Sequence, residues 1–233
     1  MISPAQRSSA PPESRPIIPS ENAARAGRTR KRTRIQARNE QRILNAALEV
    51  FASYGFRGAT VDQIARRAGM TKPNLLYYFR RKQDIYLAVL NRTLETWLKP
   101  LQAIDPAGEP TAEIVAYIDR KLKMSRANPK ASRLFAMEVI QGAPVLGSVL
   151  SGRLKELADE KAAVIGGWVA EGRLAPVDPH HLLFIIWATT QHYADFDAQV
   201  RAILGKRATG RAHFDFARAT LEQVLVRGVA GRR

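Results

Sequence analysis

No cysteine occurs anywhere in the 233 residues, which rules out structural disulfides, thiolate metal sites and cysteine nucleophiles and agrees with a reducing cytoplasm. The four histidines fall in no metal-ligand spacing. His180 and His181 are neighbours on different helical faces, and His192 and His213 stand far off along the chain. Asp159 and Glu160 are likewise adjacent rather than a facing pair, and neither a nucleophile motif nor a Gly-rich phosphate loop is present. These absences argue against an enzyme, and the sequence asks for no cofactor and no metal. The opening MISPAQRSSAPPESRPIIPS lacks the apolar run of a signal peptide, and no segment approaches the length that spans a bilayer. A soluble cytoplasmic protein is the expectation. Strand alternation and internal repeats are missing too, so the chain reads as all-α.

Acidic residues are also scarce, 21 against 37 Lys and Arg, for a formal net charge of +16. Between Arg30 and Lys82 stand thirteen basic residues against Glu40, Glu49 and Asp62, so +10 of that charge lies in under a quarter of the length. The same stretch carries ATVDQIARRAGMTKPNLLYYFRRKQDIY, from Ala59 to Tyr86. Val61, Ile64, Ala65 and Ala68 recur at helical spacing, with Thr60 as N-cap and Gly69 suited to the φ > 0 conformation that ends a helix. Thr71 caps a second short segment, Lys72 to Phe79, with Pro73 in its first turn. Leu75 and Phe79 sit four apart and dock on the preceding helix, leaving Lys72, Asn74, Tyr77 and Tyr78 directed elsewhere. An isolated pattern of this kind suits an ordinary helical hairpin, but a basic excess centred on it matches a phosphate footprint. The expected element is a helix-turn-helix reading double-stranded DNA through the major groove.

Residues 1–29, rich in Pro, Ser, Ala and Arg, read as a disordered basic arm. RTRKRTR, Arg28 to Arg34, closes the arm and admits two readings, a solvated tail or an extension along DNA. A helix from about Ile35 to Tyr54, ended by Gly55, completes a three-helix head over 30–82. A linking helix from Lys82 through Ile85, Leu87, Ala88, Leu90 and Leu94 to Leu101 carries the chain into a larger helical domain, 83–233. Its helices are expected at Ala112–Ala127, Ala131–Ile140, from Pro144 to Gly172, at His180–Leu204 and at Ala212–Arg227. The last two are apolar on more than one face, which fits one face in the core and one against a second subunit.

The string ILNAALEVFASYGFRGATVDQIARRAGMTKPNLLYYFRRKQDIY, Ile43 to Tyr86, resembles the TetR family of bacterial transcriptional regulators. That resemblance implies an N-terminal helix-turn-helix domain followed by a ligand-binding, dimer-forming helical domain. Leu76 departs from it, standing where the family commonly has a phosphate-contacting Tyr; it could meet a thymine methyl or simply pack. NLLYYF, WLKPL (from Trp97), ASRLFAMEVIQGAP (from Ala131), DEKAAVIGGWVAEGRLAPVDP (from Asp159) and WATTQHYADF (from Trp187) are similar to the pyrimidine-utilisation regulators of the family. Their likeness implies control of uracil and thymine breakdown, with the base as effector.

Thr60, Thr71, Tyr78 and Lys82 lie near helix ends and are expected at phosphates; Lys72, Asn74 and Tyr77 are expected at base edges of a palindromic operator read by a homodimer. For the effector, Phe184, Trp187, Gln191 and Asp195 share one helical face, and Ile185, Thr189, His192 and Phe196 an adjacent one. A flat heterocycle with alternating N–H and C=O groups needs apolar faces and an edge partner that both donates and accepts. Trp187 and Gln191 supply these, with Trp97, Arg133, His192 and Asp195 as further candidates. Aromatics at helical spacing also serve as ordinary core, and a lone Gln or His as a satisfied polar group. Two other functions stay open on residues alone, a nonspecific architectural DNA binder and a regulator answering a hydrophobic drug or fatty acyl compound.

Overall fold

The computed structural model describes residues 34–205 and 210–229, and no strand forms among them. The expected arm and all of RTRKRTR except Arg34 lie outside the described residues. The chain divides into two compact units, Met1–Ala37, whose residues 34–37 are helical, and Arg38–Arg233, which holds both hydrophobic cores.

α1 spans Arg34–Gly58, with its break at Gly55 (φ 66°), where the sequence puts the stop. A left-handed backbone costs an ordinary residue energy that glycine does not pay, so the last turn is re-aimed there. α2, Val61–Arg67, is opened by a capping box: the Thr60 hydroxyl accepts from Gln63 N (3.2 Å) and Thr60 N donates to Gln63 Oε1 (2.8 Å). Gly69 (φ 64°) ends the element, and a Cβ there would come 3.1 Å from Arg42 Nη2. That guanidinium donates to the Ala68 carbonyl (2.7 Å), satisfying an acceptor left over at the helix end. α3, Lys72–Tyr78, starts from Thr71, whose hydroxyl accepts from Asn74 N (3.4 Å). Ile43, Ala47, Phe51, Ile64, Leu75 and Ile85 fill the core beneath these helices.

α4, Lys82–Gln102, buries one stripe: Ile85, Tyr86, Val89, Leu90, Leu94, Trp97, Leu98 and Leu101. Leu87 and Ala88 fall off that stripe and are half-buried. Its first half belongs to the head core and its second to the body core, so one rigid rod enters both. The head core also takes in Leu134, Ala143 and Leu146 from farther along the chain.

α5, Pro110–Ala127, is capped by Glu109, and α6, Pro129–Ile140, stops before Gly142 (φ 88°). The run expected from Pro144 is three pieces: α7, Gly147–Val149, a π-helical turn at Leu150–Leu154, and α8, Lys155–Ala170. α9 spans Pro179–Asp195, with Asp178 accepting from His181 N (2.9 Å) as N-cap. The single helix expected over His180–Leu204 is corrected here: the backbone leaves helical geometry at Phe196 (φ −109°, ψ 30°) and resumes as α10, Asp197–Leu204. α11, Arg211–Leu221, likewise passes through a π-helical turn, Glu222–Val226, into α12, Arg227–Val229. Ile118, Ile165, Trp168, Leu183 and Ile186 centre the body core. Among the described residues no helix is long and apolar enough to cross a membrane.

Candidate functional sites: a basic recognition face and an aromatic cavity

The head presents α3 outward. Lys72, Asn74 and Tyr77 are exposed, Tyr77 by 70%, while Leu75 between them is fully buried. Lys72 Nζ rests 2.8 Å from Asp62 Oδ2, an exposed pair in which each side chain keeps about half its surface in solvent. Tyr78 is half-buried, its hydroxyl accepting from Asn39 Nδ2 (2.9 Å) and its ring edge-on to Tyr77. Lys82 lies over the Phe56 ring and donates to the carbonyls of Ala59 (2.8 Å) and Arg57 (3.4 Å), pinning the turn that leads into α2. Thr60 and Thr71 are exposed caps, and Arg57, Arg66 and Arg80 add exposed positive charge.

In the body, a cavity of about 60 Å³ is walled by Leu94, Trp97, Leu98 and Leu101 from α4, Tyr117 and Lys121 from α5, Phe135 from α6, Leu154, and Trp187 and Gln191 from α9. Trp97 and Phe135 lie nearly parallel, 15° apart with centroids 6.4 Å distant. Trp187 Nε1 donates to the Tyr117 hydroxyl (2.6 Å), which fixes both rings, and burial pushes that phenol above its ordinary range. Lys121 Nζ sits 3.8 Å from the centre of the Trp97 ring and donates to Gln191 Oε1 (3.3 Å). Removal from water lowers this lysine to about 7, against a smaller opposing pull from the Asp195 carboxylate.

The sequence thus brings Trp97, Trp187 and Gln191 to one cavity, and the other three candidates elsewhere. Asp195 accepts from the Ser132 hydroxyl just outside the lining, and desolvation raises its carboxyl. Arg133 donates to the Ala194 carbonyl (3.2 Å), at the end of α9 where a positive charge suits the helix dipole. His192 is exposed and stacked on Phe196 (5.0 Å). Lys121, Tyr117 and Phe135 were missed. For Lys121 and Tyr117 the signal was present in α5, where Lys121 stands at helical spacing with Ile114, Tyr117 and Ile118 on the buried stripe.

Two family matches cover most of the chain. The family described as "Bacterial regulatory proteins, tetR family" matches residues 43–89, and "YcdC-like protein, C-terminal region" matches residues 90–232. Over 204 residues the chain is 47% identical to the HTH-type transcriptional regulator RutR of Escherichia coli K12, covering 88% of this chain and 96% of that one. The chain belongs to the TetR family. It is a DNA-binding transcriptional regulator and not an enzyme. Among solved structures, a TetR-like regulator from Rhodococcus sp. RHA1 superposes with a TM-score of 0.61 at 25% identity, over 82% of this chain and 94% of that one. A TetR/AcrR-family regulator from Thermobifida fusca gives 0.59 at 26%, over 84% and 100%.

In this TetR-family chain α6 touches both the cavity and the head. Ser132 and Phe135 face the cavity region, and one turn on, the buried Glu138 accepts from the Tyr86 hydroxyl (3.1 Å) in the head core. The other Glu138 oxygen accepts from Val145 N (2.6 Å) and Leu146 N (3.2 Å). At the start of α6, Lys130 pairs with Glu49 of α1, which also holds Arg67 of α2.

Proposed function

We propose that this TetR-family regulator is a cytoplasmic homodimer controlling genes of pyrimidine breakdown, and that uracil or thymine relieves its binding to a palindromic operator. The observation that carries the reading is the small cavity closed by Trp97, Phe135 and Trp187 with the Gln191 amide at its wall. Flat rings offer faces to a planar base, and an amide both donates and accepts along its alternating edge. Size supports a base over an acyl chain: where one ordered water takes roughly 10–15 Å³, this volume holds a few waters or one small ring. The strings shared with pyrimidine-utilisation regulators support the same choice.

On the DNA side, residues 30–82 are assigned as the head, with Lys72, Asn74 and Tyr77 at base edges and Thr60, Thr71, Tyr78 and Lys82 near phosphates. An exposed ion pair such as Lys72–Asp62 is worth only about 0–1 kcal/mol, so Lys72 can exchange it for a guanine at little cost. Residues 83–233 are assigned as the effector and dimer body. Phe184, Ile185 and Phe196 around α9 and Phe216 and Val224 near the C-terminus are exposed apolar groups that a second copy would cover. His192 fits that face, while Arg133 and Asp195 would hold α6 and α9 together behind the ring.

Selection of an operator from random duplexes, then binding assays with uracil, thymine and unrelated small molecules, tests the reading. Release by the two bases alone is expected; release by none of the panel, or by acyl compounds instead, overturns the effector.

A further inference from the structure

We propose that the cavity takes its ring as an acidic imide, with Lys121 as the selecting group: among planar rings of one size, the ring that gives up its N–H proton most readily is held tightest. This rests on the pyrimidine reading and adds a charge to it. Lys121 is 3% exposed, on a helical stripe it shares with Ile114, Tyr117, Ile118, Leu122 and Ser125. Its contacts are the Gln191 amide oxygen and the face of Trp97, and neither carries a full negative charge. Among the described groups, Asp195 acts on it directly, Tyr117 shares its cavity wall, and Arg133 acts on Asp195. Asp195 of α9 takes the Ser132 hydroxyl, Tyr117 of α5 takes the Trp187 N–H, and Arg133 of α6 is spent on the Ala194 carbonyl. The Asp195 carboxylate offsets the burial of this ammonium only in part, so the cavity is short of negative charge at the place where the ring would lie.

The imide of a pyrimidine base supplies that charge. Burial holds Lys121 at about 7, so amine and ammonium coexist near neutrality. From the amine form, the ring N–H bond breaks, its proton passes to the Nζ lone pair, and the electron pair stays on the ring nitrogen. From the ammonium form, the ring proton leaves to water. Both routes end in the same ammonium–imide pair, whose hydrogen bond is stronger than one between neutral groups. Gln191 then meets the ring carbonyl with its N–H₂ group.

Calorimetric titration of the full-length protein at neutral pH with uracil, 5-fluorouracil and 6-azauracil tests this, because the three rings have nearly one size and rising N–H acidity. Affinity should climb in that order, by about tenfold or more from end to end, since each unit of acidity made available to the pair is worth up to a factor of ten. In Lys121→Met the gradient should vanish while operator binding survives; an apolar side chain of similar length removes a buried charge and so spares the fold. Equal affinity for the three rings, a preference for uracil, or an unchanged gradient in Lys121→Met overturns the inference and leaves the pyrimidine reading standing. Failure of all three rings to bind overturns both.

Discussion

Replacing Lys72 by alanine separates two kinds of DNA contact that an exposed cation on α3 can make. If Lys72 meets a guanine edge, Lys72→Ala narrows the gap between operator and random duplex by about 1–3 kcal/mol. A phosphate contact would instead weaken both alike and flatten the salt dependence, so titrations of the two duplexes across a salt series decide the matter. Gln191→Ala should leave unliganded operator affinity intact and blunt the response to uracil, as read by the same titration with added base; an undiminished response removes Gln191 from the site. Lys121 makes a prediction of opposite sign to most buried polar groups. Its folded value of about 7 lies below the ordinary lysine value of 10.5, so the unfolded chain binds more protons between the two. The penalty is complete below about pH 7 and fades as pH rises towards 10.5. Lys121→Met should therefore unfold at higher denaturant than the parent in mild acid, with the difference shrinking through that window. Lys121 escaped the sequence reading because a lysine inside an apolar stripe looks like an interruption at the solvent edge. Only the packing of α4 and α9 over α5 puts it indoors.

At the scale of elements, what could be read early was whatever local chemistry decides. Thr60, Gly69 and Thr71 mark the ends of α2 and α3 because caps and left-handed turns depend on nearest neighbours, and Gly55 marks the kink in α1 for the same reason. The break at Phe196 carries no glycine or proline. Its cause is tertiary: Ala194 lies buried and Asp195 is tied to Ser132, whereas Phe196 turns out to stack on His192. The π-helical turns at Leu150–Leu154 and Glu222–Val226 were equally silent in the periodicity. The role of α6 was also hidden, since its two duties fall on one short helix whose hydrogen-bond partners in α4 and α9 are 52 to 63 residues away. Tyr86→Phe removes the hydroxyl donor from Glu138, a buried carboxylate with two other donors. A stability loss of about 1–3 kcal/mol is expected on denaturant unfolding. Uracil should still bind as before but release the operator less completely, because the tie between α6 and the head core is weakened. Full release in Tyr86→Phe would take that tie out of the signal.

For the whole molecule, α4 belongs to both cores, so a displacement at its cavity end moves the head at the other. A ligand shifts such an equilibrium only by its unequal affinity for the two arrangements, and under the proposed function the unequal contact is the space among Trp97, Phe135 and Trp187. Two heads on one dimer must stand roughly 34–36 Å apart, or a multiple of that, to enter successive major grooves on one side of the duplex. The chain's lack of cysteine makes the decisive measurement simple, since Ser53→Cys, on the exposed surface of α1, gives one labelling site per subunit. The distance between spin labels at that position, read by pulsed electron resonance with and without uracil, tests the claim that the body sets the separation of the heads. A displaced distance distribution with uracil, absent in Gln191→Ala, is the predicted result. Coincident distributions, obtained under conditions where uracil demonstrably releases the operator, would contradict it.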